Sequence, residues 1–402
     1  MSHQYDLVLY GASGFTGAYV LEALVNSEFY NLAEKVSFAV AGRSESKLKK
    51  TLNEVSKLTG KDLSQTPIIL ADSSNTNDLS KMAQQAKVII NVVGPYRLHG
   101  EAVVKAAVEN GASHVDISGE PAWLEAMQMK YGEEAKRNGV YVVGGCGWDS
   151  IPCDLGVNYL KQHFPGTLSH AETFCQIKQG EAGYSFNSGT YQTLILGMWQ
   201  AKNDGLGKIR KAIMPEKPQK TKFRPARRGM LWWNDTLQAY CLPFMGADKS
   251  VVTRSQYYDA VVNKAYPVAI ETYMRISSLF WGVMLIAWLY MFNIAVKYDF
   301  TRQILQKYPD QCSFYMFKES GPTREQAKQA SFIYWFIGYG WENQNQPNPE
   351  EARKRLLLLD VMDLMLDTLL QLDKMVEHLP LQLLSRALKF TTDWLLLELP
   401  FD

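Results

Sequence analysis

Three glycines at three-residue spacing form the motif with the clearest chemistry. Gly11, Gly14 and Gly17 in YGASGFTG follow a short β-branched run and precede a helical pattern. In such a turn the first glycine permits the tight bend, the second lets the backbone approach a pyrophosphate, and the third lets helix and strand pack closely. The spacing therefore predicts a dinucleotide-binding turn, with a purely structural glycine-rich turn as the alternative.

Hydroxyl groups and a helix N-terminus add to this turn. A helix beginning near Phe15 directs backbone N–H groups and partial positive charge toward phosphate oxygens. The side chains of Ser13 and Thr16 are further donors. A three-glycine pattern alone is weak evidence, but its place at the first strand-to-helix junction favours cofactor binding.

The end of the second predicted strand indicates which cofactor is bound. Enzymes that prefer NAD place a carboxylate there, whereas this chain has AGRSESKL. Arg43 and Ser44 suit a 2′-phosphate, which predicts NADP(H), with NAD(H) as the alternative cofactor. Alternatively, Arg43 is only a solvated residue at the start of a helix and does not contact the cofactor. Asp72 ends the third strand, where it borders the adenine pocket or caps a helix, and Gly94 lies at the nicotinamide side.

Three residues at the carboxyl ends of later strands are candidates for proton transfer. Tyr96 and His99 can donate a proton to the atom that gains charge after hydride transfer, and Asp149 can orient a polar substrate. Each also has a structural explanation. Tyr96 can cover the cofactor, and His99 and Asp149 can cap the helices that follow them.

The elements that must position these residues alternate regularly. Six short apolar strands precede Gly11, Gly42, Asp72, Gly94, Ser118 and Cys146, and helical patterns separate them. Strands alternating with helices predict an α/β fold, a doubly wound parallel Rossmann sheet over residues 1–155. From 156 to 345 longer aromatic and polar stretches predict a second, mixed α/β domain with an antiparallel sheet.

Two stretches of the second domain have unusual composition. Residues 202–228 are rich in Lys, Arg and Pro and predict an exposed basic loop, while residues 276–296 are almost wholly apolar. The apolar run predicts a membrane-associating segment. It either dips into one leaflet or a droplet monolayer, spans a bilayer, or forms a buried core or dimer helix. Residues 346–402 predict a Leu-rich helical tail.

Composition narrows the function classes. A net charge of +1 gives no global reason to expect nucleic acid. Five scattered cysteines lack the spacing of a zinc site or disulfide scaffold, so no metal is predicted. The chain passes from Met1 directly into a strand pattern, which argues against a secretory leader and favours a cytoplasmic location.

Several motifs in fixed order resemble a known family. The motifs are, in order, GASGFTG, AGRSESKL, VVGPYRLHGEAVV, HVDISGE, GGCGWDSIPCDLG, SGTYQT, LPFMGADKSVVTRSQ and GPTREQAKQASF. Through these motifs the chain resembles the saccharopine dehydrogenase-like oxidoreductases of animals over about residues 1–341. The chain is similar also to bacterial trans-acting enoyl reductases. The resemblance implies an NADP-type Rossmann domain, oxidoreductase chemistry and association with lipid droplets or membranes. Residues from about 342 onward match nothing in that pattern.

Two functional hypotheses follow. The first is an NADP(H)-dependent oxidoreductase at a lipid-droplet or cytosol-facing membrane surface, acting by hydride transfer on a lipophilic carbonyl, imine or enoyl substrate. The second is a catalytically silent droplet or membrane scaffold that retains the Rossmann fold. A homodimer is compatible with either hypothesis.

Overall fold

The computed structural model describes residues 3–27, 36–218, 226–341 and the backbone of a strand at 353–359. The strands are β1 (Tyr5–Tyr10), β2 (Phe38–Gly42), β3 (Ile68–Leu70), β4 (Ala86–Asn91), β5 (Ser113–Asp116), β6 (Val142–Val143), β7 (Thr167–Lys178), β8 (Phe186–Asn187), β9 (Trp232–Asn234), β10 (Ala239–Pro243), β11 (Ala269–Ile276), β12 (Phe317–Lys318), β13 (Ser331–Trp341) and β14 (Arg353–Leu359). The helices are α1 (Phe15–Asn26), α2 (Glu45–Thr59), α3 (Thr76–Gln85), α4 (Tyr96–Glu109), α5 (Pro121–Asn138), α6 (Ser150–His163), α7 (Ser188–Gln200), α8 (Leu206–Ile213), α9 (Asp248–Val262), α10 (Leu279–Ala295), α11 (Asp299–Lys307), α12 (Pro309–Cys312) and α13 (Arg324–Gln329).

The first six strands form a parallel sheet in the order β3-β2-β1-β4-β5-β6. This order confirms the predicted doubly wound Rossmann architecture, and all six predicted strands are present. Both faces are covered, because Leu7 and Leu9 pack in one core while Val8 and Tyr10 pack in another. The order reverses between β1 and β4, so the crevice at the carboxyl ends of these strands is the expected ligand site.

A second six-stranded sheet has the order β14-β13-β7-β11-β10-β9. It is mixed and not purely antiparallel, because β7 and β11 run parallel while the other pairs are antiparallel. Helix α6 packs on this sheet through Cys153, Val157 and Leu160. The predicted domain boundary at residue 155 therefore falls inside one continuous helix, whose apolar face belongs with the second sheet.

The apolar run divides into two elements. Strand β11 continues to Ile276, and helix α10 then covers Leu279–Ala295. Among the described residues no helix combines the length and apolar character needed to cross a bilayer, so the spanning alternative is not supported. Helix α10 instead packs with α7, α11, α12 and the β8-β12 pair, a unit that we call the helical cap (residues 186–200 and 279–321).

Two other predicted segments differ from the structure. The stretch 202–228 contains helix α8, whose Arg210 binds a buried carboxylate, so this part is helical and not a loop, although most of its residues are exposed as predicted. Of the predicted helical tail (346–402) the structure describes only residues 353–359, and these form strand β14, paired antiparallel with β13. A leucine run suits either secondary structure, and here pairing along the free edge of β13 decides it. Residues 360–402 lie outside the described residues.

Candidate functional site

The glycine turn has room for no additional side chain at two of its positions. Gly11 has a φ of +95°, and its N–H donates to Ala41 O over 2.8 Å. A Cβ at Gly17 would lie 2.2 Å from Gly11 O, so only glycine lets α1 begin this close to β1. This is the geometry of the predicted turn, and it brings the start of α1 to the carboxyl end of β1.

Helix α1 begins without a side-chain cap. Its N-cap residue, Gly14, is exposed and has no side chain to bind the N–H groups of the first turn. The amides at Phe15 and Thr16 belong to this turn, where α-helices leave backbone donors without an intrahelical partner. Such donors, together with the helix dipole, suit a phosphate anion.

A cleft of about 510 Å³ opens beside this turn. It is lined by Ser13, Gly14, Arg43, Ser44, Lys47 and Asp72. Five of these six residues were predicted from the sequence, and the structure brings them together. The cleft thus joins the end of β1, the start of α2 and the end of β3.

Lys47 is the lining residue that sequence reasoning missed. Ser44 caps α2 and its side chain accepts from Lys47 N over 3.5 Å, which puts Lys47 in the first helical turn beside Arg43. The neighbouring Lys49 and Lys50 instead pair with glutamates of the same helix. The three-residue spacing between Ser44 and Lys47 was the available signal, since such residues share one face of a helix.

Asp72 and His99 lie at the same end of the cleft. The Asp72 carboxylate accepts from Ser74 N and Ser74 Oγ over 2.8 and 2.7 Å, which lowers its pKa. His99 Nδ1 lies 3.3 Å from Ser73 Oγ. This contact places His99 beside Ser73, the neighbour of Asp72, which the sequence assigns to the adenosine end of the cleft.

The Tyr96 hydroxyl is buried beneath the sheet edge. It donates to Asn91 O over 2.9 Å and accepts from Ile117 N over 3.3 Å, and burial raises its pKa well above the usual value. The hydroxyl proton is therefore already donated to the Asn91 carbonyl. With its bond from Ile117 N, the hydroxyl links the backbone at the carboxyl ends of β4 and β5. Gly94 is exposed on the same connection, just before it.

Asp149 is an acid held in an unusual backbone conformation. It lies in the left-handed region with a φ of +78°, a costly conformation for a residue with a Cβ. Its Oδ1 accepts from Ser150 Oγ over 2.6 Å. Burial raises the pKa of Asp149 to about 6, and its side chain is hydrogen-bonded to that of Asp248.

Asp248 completes an acid pair that the sequence did not reveal. It is only 1% exposed, and burial and the charge of Asp149 raise its pKa well above the usual value. The Tyr334 hydroxyl lies 3.3 Å from Asp248 Oδ2 and 3.3 Å from Asp149 O. An aspartate at a helix start looks like a simple cap, and only the tertiary fold brings α9 to Asp149.

Aromatic rings enclose this acid pair. Trp148 packs edge-on against Phe244 and Phe332, with ring centroids 6.1 and 6.0 Å apart. Trp148 and Asp149 are partly exposed, whereas Asp248 lies behind them. Two nearby carboxyl groups in a low-dielectric setting cannot readily both ionise, so the pair retains one proton over a wide pH range.

Comparison with known proteins agrees with this cleft. Residues 7–143 match the saccharopine dehydrogenase NADP binding domain. A Caenorhabditis elegans lipid droplet localized protein is 59% identical over 341 residues, which are 84% of this chain and 79% of that protein. The Homo sapiens saccharopine dehydrogenase-like oxidoreductase is 38% identical over 352 residues, 86% of this chain and 82% of that protein.

The chain belongs to the saccharopine dehydrogenase-like oxidoreductase family. This confirms the resemblance inferred from the ordered motifs, as does a Mycobacterium tuberculosis protein named as a trans-acting enoyl reductase, 31% identical over 203 residues, half of this chain and 46% of that protein. As a member of the saccharopine dehydrogenase-like family, the protein carries an NADP-binding domain. The Gly11–Gly17 turn and the cations Arg43 and Lys47 fit that cofactor, because they offer amides to a pyrophosphate and positive charge to a 2′-phosphate.

Proposed function

We propose that this protein is an NADP(H)-dependent oxidoreductase that reduces a lipophilic carbonyl, imine or enoyl compound at a lipid-droplet or membrane surface. The observation that carries the proposal is the acid pair Asp149–Asp248 at the carboxyl-end edge of a sheet whose other half holds the glycine turn. The adenosine half of the cofactor would occupy the cleft of Arg43 and Lys47. Its nicotinamide would then lie toward β4, β5 and β6.

Bound NADPH would supply a hydride to an electrophilic carbon, and the protein must supply a proton. In carbonyl reduction the C=O π electrons move to oxygen as the hydride bonds to carbon. Asp149 would then give its proton to that oxygen. Asp248, which lies behind Asp149, would transfer its own proton to the Asp149 carboxylate. The strained backbone at Asp149 and its bond from Ser150 fix the carboxyl direction.

The helical cap packs directly against the cofactor-binding half of the protein. A Cβ at Gly321 would lie 2.7 Å from Phe15 Cε2 and 3.1 Å from Asn187 Nδ2, so the cap touches the start of α1 directly. Deeper in the cap, the rings of Tyr191 and Phe292 are 5.4 Å apart, which joins α7 to α10. An apolar unit therefore lies next to the cofactor turn, which favours a lipophilic substrate class.

The outer surface of the cap favours lipid contact. Helix α10 has only Gly282 and Phe292 buried among its seventeen residues, and it contains no charged residue. Trp281 is 65% exposed and Tyr290 is 70% exposed. Contiguous apolar surface of this kind is rare on a protein that meets only water, and aromatic residues favour the interface between headgroups and acyl chains.

A second exposed aromatic site extends this surface. Phe314 and Tyr315 have φ values of +52° and +62° and are 78% and 58% exposed. Two successive bulky residues in the left-handed region are costly, and hydrogen bonds from Tyr315 N to Asp310 O and Phe314 N to Gln311 O hold them there. The two rings are therefore held in an exposed position, where contact with a lipid monolayer would bury them. The lipid droplet localization for which the Caenorhabditis elegans relative is named supports the same location.

The proposal is tested with the full chain in two steps. Calorimetry should detect NADPH binding by wild type and none by Gly17→Ala, since the added methyl closes the turn. Oxidation of NADPH should then be followed with long-chain aldehydes, ketones, imines and enoyl thioesters presented in phospholipid vesicles. Absence of NADPH binding by wild type would contradict the proposal, and binding without turnover across these classes would favour the silent scaffold.

A further inference from the structure

A second cavity, of about 330 Å³, lies under the outer edge of the parallel sheet. Helix α5 and strand β6 form its walls, and Arg254 of α9 closes one end. Its lining residues include Asp116, Trp123, Leu124, Met127, Gly144 and Arg254. It shares no lining residue with the cofactor cleft, and its volume lies within the range of about 300–1,000 Å³ usual for small-molecule sites.

Three of the lining residues carry a buried polar atom without a hydrogen-bond partner among the described residues. These atoms are Asp116 Oδ2, Trp123 Nε1 and Arg254 Nε. Asp116 is 1% exposed and Trp123 is 6% exposed. Because buried polar groups are almost always paired, three such atoms around one cavity indicate a ligand that would pair them.

The absence of a side chain at Gly144 lets Leu124 and the Asp116 carboxyl group approach the backbone closely. A Cβ there would lie 2.3 Å from Leu124 Cδ2 and 3.1 Å from Asp116 Oδ2. The other carboxyl oxygen, Oδ1, accepts from Ser118 N and Gly145 N over 2.8 and 3.1 Å. The carboxyl group is therefore anchored through Oδ1, while Oδ2 has no hydrogen-bond partner among the described residues of this lining.

The charges around the cavity determine which ligand it suits. Arg254 donates through Nη1 to Gln128 Oε1 over 3.0 Å and keeps Nε available. Burial raises the pKa of Asp116 to about 7, with Glu120 raising it further and Arg254 opposing the rise. His114 Nδ1 is 3.6 Å from Asp116 Oδ2, but burial lowers the His114 pKa to about 3, so that ring is neutral.

From this arrangement we infer that the cavity binds a small monocarboxylate with an apolar body. Its carboxylate accepts from Trp123 Nε1, from Arg254 Nε and from protonated Asp116, while its hydrocarbon part packs on Leu124 and Met127. An ammonium group would be repelled by the Arg254 cation and would leave the donors Trp123 Nε1 and Arg254 Nε without an acceptor, and a phosphate dianion would bring two charges to Asp116. One negative charge on an apolar body matches the donors and the walls.

Hexanoate is a suitable probe, measured by calorimetry with the full chain in the absence of cofactor. Trp123→Phe keeps an aromatic ring and removes one donor to the carboxylate, so affinity should fall about 10- to 100-fold, as for a hydrogen bond to a charged group of about 1.5–3 kcal/mol. Trp148→Phe is the matched control, because Trp148 Nε1 is also buried without a partner among the described residues but does not line this cavity. Its affinity should equal that of wild type.

Proton linkage provides a second readout. Hexanoate should bind more weakly as pH rises through about 7, since Asp116 loses the proton that it donates. Asp116→Asn keeps a donor and should flatten this dependence. Failure of wild type to bind hexanoate, equal affinity in Trp123→Phe and wild type, or an unchanged pH profile in Asp116→Asn would each overturn the assignment. None of these results would affect the NADPH proposal, because the two cavities are separate.

Discussion

The side chains of Asp149 and Asp248 are hydrogen-bonded where helices α6 and α9 meet, although they are 99 positions apart in the chain. Asp149 is partly exposed toward the carboxyl-end edge of the parallel sheet, whereas Asp248 is buried behind it. The outer carboxyl group can meet a substrate while the inner one holds a proton in reserve. This relationship makes the pair a proton donor whose behaviour depends on both residues.

Asp248→Asn should change the pH dependence of reduction. As pH rises through about 6 Asp149 ionises first, while Asp248, whose pKa is raised further, keeps the remaining proton. Wild type should therefore retain its kcat at neutral pH, whereas the variant has no acidic proton left there. We expect kcat of the variant to fall about tenfold per pH unit above about pH 6, measured by NADPH oxidation.

A control and a substrate-independent measurement accompany this test. Burial also raises the pKa of Asp154 to about 6, but Asp154 binds Ser255 and not the pair, so Asp154→Asn should leave the kcat profile unchanged. Raised carboxyl pKa values stabilise the fold at low pH, and this stability is lost as pH rises through them. Asp248→Asn should therefore lose less stability than wild type between pH 5 and pH 8, as calorimetric unfolding would show; an equal loss would contradict the coupling.

Arg43 and Lys47 should decide the preference for NADPH over NADH. Each can form a charge-assisted bond to the 2′-phosphate, worth about 1.5–3 kcal/mol or about 10- to 100-fold in Kd. Arg43→Ala and Lys47→Ala should each weaken NADPH binding by such a factor and leave NADH binding nearly unchanged, as measured by calorimetry. Lys49→Ala is the control, since Lys49 pairs with Glu45. Equal losses for both cofactors would refute the assignment.

The cofactor half of the protein could be predicted from sequence because its signals are local. The turn at Gly11–Gly17 and the cations after β2 depend on residues close in the chain, and strand periodicity gave the order of elements. The acid pair could not be predicted in the same way. Asp149 had a local helix-cap explanation, and its partner comes from another domain through contacts that no spacing encodes.

The errors in the second domain have a common physical cause. Arg353–Leu359 has helical periodicity, but the edge of β13 offers unpaired backbone groups and makes it a strand. Residues 206–213 look like part of a solvated basic stretch, but Arg210 has a buried partner and the segment is helical. Tertiary pairing outweighs weak local preference in both cases.

The exposed face of the helical cap should be needed for lipid attachment. Burying an apolar side chain contributes about 1.5–3 kcal/mol, so replacing Trp281 and Tyr290 together by glutamate should reduce membrane partitioning at least about 100-fold. The measurement is flotation with phospholipid vesicles and with triacylglycerol droplets. Tyr258→Glu serves as the control, because Tyr258 is 64% exposed but lies on α9 outside the cap. Equal flotation of the double variant and wild type would exclude α10 as the attachment site.

Arg210 should stabilise the junction between the two domains. Its guanidinium donates to both oxygens of Glu125 over 3.0 Å, and Glu125 is fully buried and also accepts from Ser250 Oγ over 2.6 Å. Arg210→Ala leaves the buried Glu125 carboxylate without its cationic partner, so the free energy of unfolding should fall by about 2 kcal/mol in denaturant titration. Adding Glu125→Gln should recover part of the lost stability, because the buried charge without a partner is removed. The control is Lys211→Ala, at the exposed neighbouring position, which should change the free energy of unfolding by less than about 0.5 kcal/mol. Equal effects of Arg210→Ala and Lys211→Ala would contradict the stabilising role of Arg210 and would favour a solvated segment, as its composition predicts.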